Sequence, residues 1–161
     1  MNHKTAPVYM IWSDEMLLNS SRKNTWRYLM NPPSWQNFPV YKTVSGKPGE
    51  EGEVILMNKA EKGFDFPSYF ARTLKIEPER RIVWKTYPEK ITPQDNFFGI
   101  VDFKVHDADG RTRFCYDFLY EFLVPHENET QLAAFRDHQY ENFKTLFASI
   151  FPKLKALAEK E

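Results

Sequence analysis

Residues 16–35 of the chain, Met16-Leu-Leu-Asn-Ser-Ser-Arg-Lys-Asn-Thr-Trp-Arg-Tyr-Leu-Met-Asn-Pro-Pro-Ser-Trp35, combine several signals of local structure. The apolar start is typical of the end of a strand, and either Ser20 or Ser21 can cap a helix N-terminus with its hydroxyl. The next residues place their large apolar side chains on one helical stripe, and the Asn-Pro-Pro sequence ends that helix. Trp35 then begins a second short apolar segment. The stretch therefore predicts a strand followed by two short helices.

Turn residues divide the next part of the chain into apolar segments that predict six more strands. We expect these strands at residues 41–45, 53–58, 68–77, 81–87, 96–106 and 111–124. The last two alternate between large apolar and polar residues, which is typical of a sheet with one covered face and one face in water. Asp107-Ala-Asp-Gly110 between them is a strong hairpin signal.

The C-terminal segment predicts one long amphipathic helix over roughly residues 130–160. Its apolar residues recur at steps of three and four, from Leu132 to Leu157. Pro152 should kink the helix near its C-terminal end, because proline removes a backbone hydrogen bond. We expect the apolar stripe of this helix to cover the sheet.

The order of one strand, two short helices, six strands and one long helix resembles the START-like (SRPBCC) superfamily. That superfamily contains polyketide cyclases, lipid-transfer domains and proteins of the birch-pollen-allergen type. The resemblance covers nearly the whole chain. It implies an α+β helix-grip fold, in which a seven-stranded antiparallel sheet wraps around the C-terminal helix and encloses a cavity. It also implies a single START-like ligand-binding domain over residues 1–161.

The composition fits one soluble domain. A chain of 161 residues is long enough to bury a sizeable core. Its 22 basic and 22 acidic residues cancel, which argues against electrostatic binding to nucleic acid or acidic membranes. The single cysteine, Cys115, excludes an internal disulfide and favours a reducing compartment. No stretch has the length of a membrane span, so we expect a cytoplasmic protein without stable membrane insertion, and monomer and homodimer both stay open.

Motifs for catalysis and metal binding are missing from the sequence. There is no Gly-x-Ser-x-Gly elbow, phosphate loop or dinucleotide fingerprint. The histidines have no metal-ligand spacing; they are His3, His106, His126 and His138. We therefore predict no metal, no cofactor and no identifiable catalytic residue.

The inward faces of the predicted elements supply a candidate cavity lining. Aromatic residues make up 16% of the chain, and such rings either fill a thick core or line a hollow. A buried tyrosine hydroxyl needs a hydrogen-bond partner, which favours water, a polar side chain or a ligand near Tyr116 and Tyr120. The predicted lining residues are Trp84, Val101, Phe103, Tyr116, Phe118, Tyr120 and Phe143.

Two polar residues are candidate ligand anchors. Gln139 lies on the apolar stripe of the long helix, where its amide either bonds a backbone group or a tyrosine, or holds a ligand. Arg72 shares a strand face with large apolar residues; if that face is inward, it predicts a carboxylate or phenolate on the ligand. A bulge would instead turn Arg72 to water, and an acidic partner would neutralise it.

Aromatic residues also concentrate in loops at one end of the predicted sheet. Turns of a meander alternate between its two ends, so the loops at 58–67 and 88–96 should lie together beside the start of the long helix. The rings there are Phe64, Phe66, Phe97 and Phe98. They form either the mouth of a cavity or a plug that closes the core.

Three classes of function compete. The first is binding or transport of an apolar small molecule, such as a lipid, an isoprenoid or an aromatic polyketide-like compound, in the internal cavity. The second is a cyclase or dehydratase-type enzyme acting on such a molecule, which needs an acid or base in the pocket. The third is a protein-interaction module similar to the Hsp90-ATPase activators. We rank them in this order.

Overall fold

The computed structural model describes residues 4–160, and His3 lies outside the described residues. The elements follow the predicted order. They are β1 (Lys4–Leu18), α1 (Arg22–Leu29), a 3-10 helix (Pro32–Ser34), β2 (Val40–Ser45), β3 (Val54–Asn58), β4 (Tyr69–Glu77), β5 (Arg81–Pro88), β6 (Phe97–Ala108), β7 (Arg111–His126) and α2 (Glu129–Glu159).

Within residues 4–160, seven strands form one antiparallel sheet in the order β1-β7-β6-β5-β4-β3-β2. Strands β2 to β7 form a meander, whereas β1 pairs with β7, from Lys4 opposite His126 to Leu18 opposite Thr112. This sheet and the single long helix confirm the predicted helix-grip architecture. None of the helices in this range combines the length and the hydropathy that a membrane crossing requires.

The stretch at 16–35 carries the chain from β1 towards β2 and docks on α2. Ser21 is the helix cap, since its Oγ accepts a hydrogen bond from the Asn24 N–H at 3.0 Å. The second predicted short helix is a 3-10 helix of three residues. Trp35 follows it and is 1% exposed. Its indole N–H donates to the Tyr28 carbonyl at 3.0 Å, and its ring stacks on Phe151 with centroids 5.8 Å apart.

The turn between β6 and β7 has the predicted hairpin geometry. Asp109 and Gly110 both have positive φ, 52° and 80°. A two-residue type I′ turn requires positive φ at both positions, and Asp-Gly is a favoured pair there. The long β6–β7 hairpin is thereby fixed in register, with Phe103 opposite Tyr116.

The concave face of β7 packs on α2 through interlocking rings. Side chains on one strand face recur about every 6.7 Å, and every fourth residue of a helix about every 6 Å, so the two rows nearly match. Successive pairs are Tyr116–Phe151, Phe118–Phe147 and Tyr120–Phe143, with centroids 4.2, 4.6 and 5.1 Å apart. We call these six residues the aromatic ladder.

Helix α2 also protects the free edge of β1. The Tyr140 hydroxyl accepts a hydrogen bond from the Ile11 N–H at 3.1 Å and donates one to the Ile11 carbonyl at 3.2 Å. Further along, Lys155 donates to the Leu17 carbonyl at 3.2 Å. An unpaired strand edge is a template for pairing with another chain, and these side chains occupy part of it. The helix continues through Pro152 to Glu159, so it covers much of the length of β1.

We predict that Tyr140→Phe lowers the free energy of unfolding by about 1 kcal/mol, because it removes both hydrogen bonds to the β1 backbone. Urea denaturation followed by circular dichroism measures this difference. The control is Tyr9→Phe, since Tyr9 lies on the same strand and is 57% exposed. Equal stability of the two variants would contradict a role for Tyr140 at this edge.

Candidate functional site

A cavity of about 60 Å³ lies between the concave face of the sheet and α2. The sequence analysis named six of the residues that line it: Trp84, Val101, Phe103, Phe118, Tyr120 and Phe143. Tyr116 is buried but does not line the cavity, because its ring stacks on Phe151 in the aromatic ladder. Burial, and then the Asp14 carboxylate, raise the pKa of Tyr116 to about 12, so its phenol stays neutral.

The cavity is smaller than the roughly 300–1,000 Å³ that is typical of ligand sites. Part of the reason is the segment between β3 and β4, which we call the plug segment (residues 59–68). Its Phe64 and Phe66 rings stack with centroids 5.5 Å apart and line the cavity. Phe66 also lies 5.5 Å from Phe143 and 4.8 Å from Phe97, between centroids. These rings fill space that a ligand could otherwise occupy.

The predicted mouth residues take different positions: Phe64 and Phe66 lie in the plug segment, whereas Phe97 and Phe98 point to opposite faces of β6. Phe64 is 8% exposed, so it closes the core as a plug and does not form an open lip. Phe97 is buried against Phe66 but does not line the cavity. Phe98 is 43% exposed on the outer face, beneath Lys85, so its assignment to the mouth was wrong. The reason is strand parity: two successive residues of a strand cannot both point inward.

Arg72 does not line the cavity and is exposed to water, which is one of the alternatives that the sequence analysis left open. The inward residues of β4 are Tyr69, Ala71 and Thr73, which are buried, whereas Arg72 is exposed. The β4–β5 register shifts between Thr73 and Lys75. Because of this irregularity, one alternation does not extend along the whole strand, and the apolar residues after the shift do not report the orientation of Arg72.

Gln139 does not reach the cavity either. It lies with Phe66, Phe97 and His138 at a separate surface groove of about 400 Å³. Its Oε1 is buried and, within residues 4–160, has no hydrogen-bond partner. The expected bond from Gln139 to Tyr116 or Tyr120 is therefore not formed by this oxygen.

The cation in the cavity is Lys59, which the sequence analysis did not single out. Lys59 lines the cavity, and its Nζ lies 5.6 Å from the Phe38 ring centroid and 6.0 Å from that of Tyr69. Both distances are in the range of a cation–π interaction. Burial lowers the pKa of Lys59 to about 8, and the Glu61 carboxylate partly opposes this shift.

Gln36 is a second polar residue that the sequence analysis missed. It is 9% exposed and lines the same cavity. Its Oε1 is buried and has no hydrogen-bond partner in the part of the chain that the structure describes. Buried polar atoms are nearly always bonded in native proteins, so an unpaired amide oxygen at a cavity indicates a place for water or a ligand.

Three hydroxyl groups, those of Tyr69, Thr86 and Tyr120, complete the polar lining. The Thr86 hydroxyl donates to the Tyr120 hydroxyl at 3.1 Å. Burial raises the pKa of Tyr120 to about 12, and that of Tyr69 well above its usual value, so both phenols are neutral and can donate hydrogen bonds. The cavity thus combines one cation, one amide and neutral hydroxyls in an apolar enclosure.

The plug segment is tied to the rest of the domain by polar contacts. The Asp65 N–H donates to the Asn142 side chain at 3.0 Å, and the Asn142 amide donates to the Asp65 carbonyl at 2.7 Å. The buried Glu61 carboxylate accepts from the Asn37 N–H at 2.5 Å and lies 3.5 Å from the Lys153 Nζ. These contacts hold the segment on α2 and on the turn after the 3-10 helix.

Elsewhere the structure offers little catalytic chemistry. Among residues 4–160, no group of three or more histidine, cysteine, aspartate and glutamate side chains is arranged to hold a metal ion. The Cys115 thiol lies 3.7 Å from the Glu15 carboxylate on the outer face. Burial and this carboxylate raise the pKa of the thiol, which makes it a weaker nucleophile.

No protein-family model matches the chain, and no curated protein matches it in sequence. Solved structures do match it. Ara h 8.0201 has a TM-score of 0.67 at 9% identity, over 96% of this chain and 100% of that chain. The di-domain ARO/CYC StfQ from the steffimycin biosynthetic pathway has a TM-score of 0.69 at 11% identity, over 94% of this chain and 51% of that chain.

A third match is the Aha1 dimer from Colwellia psychrerythraea, with a TM-score of 0.56 at 13% identity, over 93% of this chain and 96% of that chain. These proteins are START-like helix-grip structures. The chain has the START-like helix-grip fold. At these identities the comparison establishes the fold alone, and the function of the protein depends on its own cavity.

We predict that Gly99→Ala disrupts the wall of the START-like cavity. A Cβ at Gly99 would lie 2.4 Å from the Tyr120 ring and 2.5 Å from the Thr86 hydroxyl, so both side chains must move. The expected loss of stability is about 1–3 kcal/mol, measured by urea denaturation. The control is Ala108→Gly, because Ala108 lies on the same strand as Gly99 but outside the core. Gly110→Ala is unsuitable as a control, since Gly110 has a positive φ.

The lowered pKa of Lys59 predicts a pH-dependent stability difference. Between pH 8 and about 10.5 the unfolded chain binds more protons at Lys59 than the folded chain, so this residue makes stability rise with pH in that window. Below pH 8 the cost of burying the ammonium is fully present. Lys59→Met should therefore be more stable than the wild type at pH 7, by up to about 3 kcal/mol. The difference should shrink at pH 9.5, as measured by urea denaturation at both pH values.

Proposed function

We propose that this START-like domain binds a small, largely apolar molecule between the sheet and α2, with the polar end of the ligand at Lys59 and Gln36. The observation that carries the proposal is the presence of unpaired polar groups in the lining of an otherwise apolar cavity. Within residues 4–160, the Lys59 ammonium has no ion pair or hydrogen bond, and the Gln36 Oε1 has no partner. A core that served only stability would place an apolar group at Gln36, since an unpaired buried polar atom costs free energy.

Ligand entry requires the plug segment to move. A cavity of about 60 Å³ holds a few water molecules, whereas a ligand of several rings needs more space. Phe64 and Phe66 occupy that space, and they belong to a loop that hydrogen bonds and one buried carboxylate hold in place. Moving both rings outward would open the cavity beside the start of α2 without breaking the aromatic ladder.

The chemistry of the site also bears on partners and location. Aromatic rings bind flat or extended apolar ligands with little loss of conformational entropy, which supports a lipid, isoprenoid or aromatic polyketide-like ligand. The zero net charge supports the proposal that nucleic acid is not a partner. The single cysteine supports a cytoplasmic location.

We predict that the neutral fluorescent probe N-phenyl-1-naphthylamine binds the wild type and binds Phe66→Ala more tightly. In the wild type the probe must displace the Phe66 ring, whose contacts with Phe97 and Phe143 contribute about 1 kcal/mol. Phe66→Ala removes this cost and frees volume, so we expect the affinity for the probe to rise roughly fivefold. Fluorescence titration measures both dissociation constants. Phe98→Ala is the matched control, because Phe98 lies on the outer face.

If the probe binds neither wild type nor Phe66→Ala, the carrier proposal fails and the interaction-module hypothesis takes its place. Native mass spectrometry of freshly purified protein provides a second test. A small molecule that co-purifies with the wild type, and is lost from a variant in which Trp84 is replaced by a smaller residue, would support the carrier proposal.

A cyclase or dehydratase-type enzyme is the second candidate, and Lys59 favours it. A lysine with a pKa near 8 can remove a proton at neutral pH, and the Tyr69 and Tyr120 phenols can donate hydrogen bonds to the developing oxyanion. The matched StfQ structure is an ARO/CYC protein by its name. Turnover of a polyketide-like substrate that is lost in Lys59→Gln, with binding retained, would establish the enzyme over the carrier.

A further inference from the structure

The position of Lys59 indicates which chemical group the ligand carries at its polar end. This inference rests on the proposed function. Lys59 follows β3 directly and begins the plug segment, so its backbone lies at the rim of the sheet. Its side chain lies between the Phe38 ring and the Tyr69 ring at the cavity surface. The ammonium is thus attracted by two ring faces but bonded to no oxygen of the described residues.

The charged and titratable groups around Lys59 do not supply a counterion in contact with it. Glu61 is the acidic residue whose field reaches Lys59. Its carboxylate is already engaged by the Asn37 N–H, the Ser149 hydroxyl and the Lys153 ammonium. The remaining titratable neighbours are phenols that burial keeps neutral: Tyr41, Tyr69 and Tyr120.

We infer that the ligand carries an acidic oxygen, as a carboxylate or phenolate, that binds the Lys59 ammonium while its apolar body lies on the cavity rings. Hydrogen bonds between ionised groups are about twice as strong as neutral ones, and the apolar enclosure strengthens them further. Gln36 lines the same cavity, and its amide N–H can donate to the second oxygen of a carboxylate, whereas its unpaired Oε1 is an acceptor and needs a donor from water or from another group of the ligand. An anionic ligand therefore supplies the counterion that Lys59 lacks.

Binding of an anion to Lys59 should be accompanied by measurable proton uptake. A bound anion favours the charged form of Lys59, so an amine that is partly neutral in the free protein above pH 8 takes up a proton when the anion binds. Affinity for the anion should then fall as the pH rises above 8, whereas affinity for a neutral analogue should stay constant. A role of Lys59 in packing alone would produce no such proton uptake.

The test compares 2-naphthoate with 2-naphthamide, which have similar shapes but differ in charge. Isothermal titration calorimetry at pH 7 gives both affinities, and titrations at pH 8.5 in buffers of different ionisation enthalpy give the number of protons taken up. We expect the wild type to prefer the acid. In Lys59→Met we expect the affinity for the acid to fall about 10- to 100-fold, with little change for the amide.

Two further variants isolate the charge. Lys59→Arg keeps a cation whose charge does not change with pH, so the preference for the acid should persist and the proton uptake should disappear. Lys85→Met is the matched control, because Lys85 also lies over a ring, that of Phe98 at 4.9 Å, but on the outer face of the sheet. Lys85→Met should leave both affinities unchanged.

Binding of the amide and the acid with equal affinity, in the wild type and in Lys59→Met, would overturn the anion inference and leave the proposed carrier function standing. A preference for the acid that also disappears in Lys85→Met would show that general surface charge, and not Lys59, attracts the anion, and would likewise overturn it. If neither naphthalene binds at any pH, the inference fails together with the proposed function.

Discussion

The packing of β7 on α2 determines the position of the long helix, on which other contacts of the domain depend. The aromatic ladder works because the spacing of side chains on one strand face nearly equals the rise of four helical residues. Three ring pairs can therefore interlock in succession, at centroid distances of 4.2–5.1 Å. This contact fixes how α2 crosses the sheet, and both Trp35 and Tyr140 depend on that position for their own contacts.

The ladder also determines where empty space can remain. The cavity lies beside the ladder rings Phe118, Tyr120 and Phe143 and extends towards β3, β4 and β5, where Met57, Ala71 and Trp84 line it. The helical row of rings is interrupted at Gln139, four residues before Phe143. Phe66 of the plug segment packs on Phe143 and Phe97 near this interruption. The loop that closes the cavity therefore packs close to the position where the row of rings on α2 is interrupted.

Sequence alone predicted those parts of the fold that periodic patterns encode. The alternation along β6 and β7 and the three-four spacing of α2 are repeated many times, so single exceptions do not obscure them. The Asp-Gly turn occurs once, but its positive φ values favour that residue pair. The orientation of Arg72 could not be predicted in the same way, because the irregularity near Thr73 adds a local shift to a short strand. Lys59 and Gln36 lie in irregular segments without any period, and their role follows from tertiary contacts alone.

The pairing of the first strand with the last has a consequence for synthesis on the ribosome. Strand β1 is synthesised before the other described strands, yet its only sheet neighbour among them is β7. The paired residues are separated by roughly a hundred positions, from Leu18 opposite Thr112 to Lys4 opposite His126. Until β7 emerges, Val8, Met10 and Leu18 have no core to enter, although they are buried in the finished domain. Such distant pairing slows folding and leaves apolar strands exposed in the nascent chain. The apolar residues of β1 therefore remain without a core for longer during synthesis than those of a domain built from local hairpins alone.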